Sequence, residues 1–274
     1  MKVRARSILA CLTLVATTGC SASSQDEYSD VQARLDPLAG EIILPLEAFA
    51  MSTLEEKDVA HANALLQDEC LAKSGREFPR ADLNWELAPI LPDRRYGLWS
   101  EADAQTNGYE FPESEDAAAI TTIEDGLGDD WWDAFEACRS ELQLLPLLGV
   151  NTSPNPSPVD EGMGESFDFL RASDDLGRLK GEWQSCIEAE GLTALESSSL
   201  LIPMIPPPGE EQIRVATIDV ECKQSLNSVQ QLADIEAREQ SAFIDEREND
   251  LVEYRAEVDK VLERAREVLA TRGA

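Results

Sequence analysis

The stretch G-E-W-Q-S-C-I-E-A-E-G (Gly181–Gly191) echoes A-L-L-Q-D-E-C-L-A-K-S-G (Ala64–Gly75) in the first half of the chain. Both are amphipathic helical stretches in which a cysteine is followed by Leu or Ile and then by the glycine that ends the helix. A proline-rich excursion follows each, Phe78–Pro112 in the first half and Ile202–Pro208 in the second. Each excursion leads to a second helical cysteine, in W-W-D-A-F-E-A-C-R (Trp131–Arg139) and V-A-T-I-D-V-E-C-K (Val215–Lys223). Four cysteines allow three disulfide connectivities. Helix–loop–helix repeated twice favours Cys70–Cys138 with Cys186–Cys222. The expected fold is mainly α: two disulfide-linked helix–loop–helix units followed by a long C-terminal helix, for which a coiled coil is one of two options.

Working outward, the first helix opens on a capping box formed by Ser52 and Glu55. Val59, Ala62, Leu66 and Cys70 share one face, and Gly75 and Pro79 end the helix. His61 lies just off that face and reads as partly exposed. The run Ile42–Leu44 fits a short strand or an extended segment packed on the helices. Ser100 caps a short helix over 100–106. Asp129 or Asp130 caps the next, whose stripe is Trp131, Phe135, Cys138 and Leu142. Pro146–Pro158 is a linker between the units. Residues 161–191 are helical, in one or two pieces, with Leu176, Leu179, Trp183 and Cys186 inward.

From Glu210 to Ala270 there is neither proline nor glycine. A single helix of that span would be roughly 90 Å long. Its heptads slip phase near 239–243, where a bend is expected. Gln212–Ala274 carries 14 acidic and 9 basic residues. Interleaved charge with heptads fits a coiled coil, and equally a long helix folded back on its own body.

The N-terminus reads as an export signal. Lys2, Arg4 and Arg6 precede an apolar run over 8–18, too short to span a membrane, and A-T-T-G-C closes it at Cys20. Small residues before Cys20 resemble the lipobox of bacterial lipoproteins, which implies thioether lipidation of Cys20 and cleavage before it. The expected organisation is therefore a lipoprotein signal peptide at 1–19 and a tether at 20–35. The first unit follows at 36–149, then the linker with the first helix of the second unit at 150–211, and the long helix at 212–274. The expected location is the extracytoplasmic side of the cell membrane, held by lipid. Cys11 leaves with the signal, and the four remaining cysteines suit an oxidising compartment. A metal site is the competing reading. It is poor, because no C-x-x-C occurs and the one histidine, His61, is not beside a cysteine.

The whole chain of 274 residues has 54 acidic and 23 basic residues, net −31. Removing the three basic residues of the signal leaves −34. Nucleic acid is an unsuitable partner for such a surface, and an anionic membrane would repel it. In the mature part 60 of 255 residues are Leu, Ile, Val or Phe, enough to fold but with little surplus, so the disulfides matter.

The chain resembles a family of uncharacterised secreted proteins and lipoproteins of actinobacteria. The resemblance rests on Ile42–Phe49, Cys70–Pro79, Trp183–Leu192, Asp219–Leu226 with Arg264–Ala270, and most of all R-R-Y-G-L-W-S-E-A-D-A-Q-T-N-G-Y-E-F-P (Arg94–Pro112). It covers most of the mature chain and keeps the cysteine positions; Leu192 stands where an aromatic is expected. It implies no assigned activity and hence no catalytic residues, and it points to accompaniment of export or cell-envelope systems.

Catalytic motifs are sparse. One histidine limits any triad to His61, and H-E-x-x-H, Walker A, G-x-G-x-x-G and G-x-S-x-G are missing from the sequence. No cofactor is implied. Glu124–Asp130 offers oxygen ligands but lacks EF-hand spacing. Three functional readings follow. The first is a non-enzymatic scaffold or accessory lipoprotein whose C-terminal helix engages an envelope or transporter protein. The second is a ligand- or wall-binding lipoprotein using the aromatic loop 85–111 (Trp85, Tyr96, Trp99, Tyr109). The third is a hydrolase acting through carboxylates, for which 54 acids give no selective signal.

Overall fold

The computed structural model describes residues 28–85, 90–112, 115–150 and 156–272. The signal peptide, Cys20 and residues 20–27 of the expected tether lie outside the described residues.

Two short antiparallel strands, β1 (Arg34–Asp36) and β2 (Glu41–Ile43), open the body, with Leu35 opposite Ile42. The Ile42–Leu44 run is thus a strand that leads into a 3₁₀ turn at Pro45–Phe49. The tether is shorter than expected. Ala33 N donates to Asp234 Oδ1 at 3.0 Å, Gln230 Nε2 donates to Ala33 O, and Tyr28 Oη donates to Asp245. Residues 28–35 therefore belong to the folded body.

Eight α-helices follow among the described residues. The first, α1 (Thr53–Ala72), starts on the expected capping box: Ser52 Oγ accepts from Glu55 N, and Glu55 Oε2 accepts from Ser52 N at 2.8 Å. The short α2 (Glu101–Asn107) is capped by Ser100. An unexpected α3 (Glu115–Asp125) follows; its Ala- and Thr-rich sequence has no sharp apolar stripe to announce it. The next, α4 (Asp129–Glu141), corrects the expected cap. Gly128 is the N-cap, and Asp129 and Asp130 lie in the first turn, where their charge favours the helix dipole. The 161–191 region divides into α5 (Pro158–Ala172) and α6 (Asp174–Ala189). Ser173 serves both, as its hydroxyl donates to Leu170 O and accepts from Leu176 N.

The proline-free C-terminal region is two helices, α7 (Glu210–Ser225) and α8 (Ser228–Arg272). Asn227 interrupts it with φ +49°, a left-handed conformation that asparagine tolerates better than most residues. The long helix thus begins at Ser228 rather than Gln212. Within α8 the backbone kinks at Arg247 (φ −121°, ψ 22°), a few residues beyond the expected phase slip. The Arg247 guanidinium bonds Asp250 and Glu161 and lies over Phe243 there.

Of the two options for this helix, the structure takes the folded-back one. Leu251, Tyr254, Val258, Leu262, Ala265 and Val268 are buried, and α8 packs on α1, α5 and the 3₁₀ turn. Arg255 bonds Glu55 and Ala50 O, and Arg272 pairs with Glu69 at 2.7 Å. The apolar seam is covered by its own chain, so it is not a coiled-coil seam. Gly162 permits the close approach of α5, since a Cβ there would meet Leu46 and Phe243 at 2.6–2.7 Å.

Both disulfides form as expected, Cys70–Cys138 between α1 and α4 and Cys186–Cys222 between α6 and α7. The units they define share one core. Ile42, Val59, Trp99, Trp183, Leu232 and Val258 belong to one buried cluster. Only Cys70–Cys138 has its own satellite core, with Phe78, Trp131 and Leu71. The linker between the units is fixed at its start: Asn63 brackets Leu145 through both its backbone N–H and C=O, and Leu148 O accepts from Met51 N and Tyr254 Oη.

Candidate functional site

The four aromatics of the 85–111 segment do not converge on one groove. Trp85 stacks on His61 (centroids 5.6 Å apart) beside the satellite core. Tyr96 is fully buried in the main core. Trp99 is buried and donates through Nε1 to Asp93 O at 2.7 Å. Tyr109 bridges inward, its hydroxyl donating to Asp219 Oδ2 at 2.9 Å. The neighbouring arginine explains the shape of the segment. Arg94 pairs with Asp103 and also donates to the carbonyls of Tyr109 and Glu110, with Phe111 stacked 4.4 Å from its guanidinium. One side chain thereby closes the excursion around α2. Gly97 (φ +89°) lets Leu201 O and Lys223 Nζ approach to 2.9 Å of where a Cβ would stand.

The acidic run at 124–130 is also spoken for. Glu124 accepts two bonds from Arg80, and Asp130 pairs with Arg76. Among the described residues no group of three His, Cys, Asp or Glu side chains is placed to hold a metal ion.

What the segment does build is a cavity. The strands, the 3₁₀ turn, the start of α1 and residues 90–95 line a half-open cavity of about 750 Å³, within the range of small-molecule sites. Its wall carries Arg95, whose Nε bonds Asp93 Oδ2 at 2.8 Å and whose Nη2 bonds Glu47 Oε1 at 3.0 Å. Asp93 Oδ1 accepts from Arg95 N as well. Both Asp93 oxygens are therefore held by one residue. Behind this wall Glu236 is 1% exposed and interacts with the buried Tyr96 hydroxyl.

One guanidinium thus faces three carboxyl groups, and the electrostatics follow. Desolvation pushes the Glu47 carboxyl up to about 7, with Asp93 adding to the rise and Arg95 opposing it. Burial also raises Glu236 and, by desolvation and the Glu236 charge, raises the Tyr96 hydroxyl. Glu56, on the same cavity, is raised by desolvation. A carboxyl titrating near neutrality can donate or accept a proton. Its neighbour Asp93 is locked on Arg95, so the pair suits charge recognition better than an acid–nucleophile division of labour.

The sign of the pH effect is fixed by linkage. Glu47 holds its proton more tightly folded than unfolded, so its contribution to stability is full below about 4.5. That contribution is lost as pH rises through about 7. Glu47→Gln is expected to leave urea stability nearly unchanged at pH 5 and to raise it at pH 8 by about 2 kcal/mol. Equal effects at both pH values would contradict the assignment.

None of Glu47, Asp93, Arg95 or Glu236 was legible as a site residue. The available signals were an acid inside the apolar run I-I-L-P-L-E-A-F and a doubled arginine before Y-G-L-W. No family model, curated protein or solved structure matches the chain.

Proposed function

We propose that the protein is an extracytoplasmic lipoprotein, anchored in the cell membrane through lipid on Cys20, and that it serves as a non-catalytic accessory component of a cell-envelope system. The pairing of the cysteines carries this reading. Four of the six form two disulfides, which suits an oxidising compartment. The remaining two are Cys11, inside the apolar N-terminal run, and Cys20, directly after Gly19 at its end. Among the described residues no helix is long and apolar enough to cross a membrane; in this reading the lipid on Cys20 provides the attachment, for which two acyl chains suffice. The resemblance to secreted actinobacterial proteins and lipoproteins points the same way.

Any partner contact through α8 uses its outward face, because the inner face is covered. That face carries Glu263, Arg264, Arg266 and Glu267, all exposed. Such a contact is polar and weakens with salt. Crosslinking in intact cells followed by fractionation tests both halves of the proposal. Wild type is expected in the membrane fraction with a defined adduct. Cys20→Ala is expected in the soluble exported fraction with the adduct lost. A Cys20→Ala protein that stays with the membrane contradicts the anchor; wild type recovered only as monomer contradicts the accessory role.

A further inference from the structure

The cavity beside the β1–β2 strands goes beyond an anchoring or scaffolding role. Its described lining includes four carboxyl groups, Glu41, Glu47, Glu56 and Asp93, against two guanidinium groups, Arg34 and Arg95. Arg95 is already shared between Asp93 and Glu47. At the rim stand two large apolar side chains with no burial to justify them: Leu54 is 60% and Leu91 57% exposed. Carboxyl groups in the wall and aliphatic groups at the mouth, in a space the size of a small-molecule site, ask for one kind of occupant.

We propose that this cavity binds a small organic cation with an apolar body, its ammonium or amidinium head against Glu47 and its hydrocarbon against Leu54 and Leu91. The cation supplies the charge that Arg95 alone cannot. The surrounding body is strongly acidic, so the long-range field also draws cations toward the site. The groups facing Glu47 are Arg95 and Asp93 from the 90–95 segment. Glu41 and Arg34 from the strands and Glu56 from α1 share the lining, and Glu236 of α8 acts on Arg95 from behind. Glu47 is the member that changes charge near neutrality, as its carboxyl is held up at about 7 by burial. Binding is therefore coupled to proton release and tightens as pH rises.

The test is calorimetric titration of exported protein carrying Cys20→Ala, which avoids detergent, with n-octylamine, n-octanol and n-octanoate. An alkylammonium, like a lysine side chain, stays protonated across the range used. Octylamine is expected to bind at least tenfold more tightly than either other probe. Its affinity is expected to rise roughly tenfold from pH 6 to pH 8, with proton release on binding detectable by changing buffer; proton uptake would contradict the coupling. Glu47→Gln should flatten that pH profile while the protein remains folded, and Leu54→Ser, at an exposed position, should weaken octylamine without changing the profile. Equal binding of the three probes, or a pH profile unaltered in Glu47→Gln, overturns the proposal. Because the lipid site is removed in every sample, failure of the anchoring proposal would leave this result intact, and the reverse also holds.

Discussion

Asp219→Ala is expected to destabilise the protein by about 3–5 kcal/mol, because it strands a buried positive charge. Asp219 and Lys223 lie one turn apart on α7, paired at 2.9 Å, with side chains 0% and 1% exposed. Asp219 accepts from Trp183 Nε1 at 2.8 Å and from the Tyr109 hydroxyl at 2.9 Å. Lys223 also donates to Leu98 O at 2.7 Å. Four elements meet there: α6, α7, the segment before α2 and the segment after it. Removing the carboxylate leaves three donors without their acceptor in a site that water does not reach. Desolvation already lowers the Lys223 pKa against the pull of Asp219, so the lone ammonium would shed its proton at a cost. Replacing both partners, Asp219→Leu with Lys223→Met, should cost less than Asp219→Ala alone. Urea denaturation checks both, and a loss below about 1 kcal/mol for Asp219→Ala would show that the network is not a structural staple.

Each disulfide is expected to contribute about 4 kcal/mol by restricting the unfolded chain. The enclosed separations are 68 and 36 residues, a difference worth only about half a kcal/mol. Packing distinguishes them more sharply. Cys222 is part of the main core with Trp183 and Val215, so Cys186→Ala with Cys222→Ala should lower the single main transition. Cys70 and Cys138 sit in the satellite core with Phe78 and Trp131. Without that bond α4 is held through α1 and a few side-chain contacts, so Cys70→Ala with Cys138→Ala should let the satellite open first. Tryptophan fluorescence would then precede the loss of far-ultraviolet circular dichroism. Coincident transitions in the second variant would place α4 in the main cooperative unit.

The fold was readable where the pattern was local. The Ser52–Glu55 box, the Ser100 cap and the helical spacing around all four paired cysteines are short-range signals, and each appears in the structure. What depends on long-range packing was not readable. The absence of proline and glycine from Glu210 to Ala270 could not expose the break, because Asn227 makes it. The heptads of α8 could not say whether their partner was another chain or α1, since both bury the same seam. Aromatic density in 85–111 marked a folded segment without revealing that Tyr96 and Trp99 point into the core while Ile90, Leu91, Asp93 and Arg95 line the cavity. Glu47 and Glu236 are charged residues inside largely apolar surroundings; in a chain with 54 acids, no count can single them out.

The most direct measurement of the central claim is the intact mass of the protein extracted from membranes, before and after reduction. The account predicts a chain that begins at Cys20, carries a diacylglyceryl group on that cysteine, and gains the mass of four hydrogens on reduction, two for each disulfide. A chain retaining Met1, or one beginning after the apolar run with no lipid mass, would contradict the anchored lipoprotein; no gain on reduction would contradict the disulfide-stapled body.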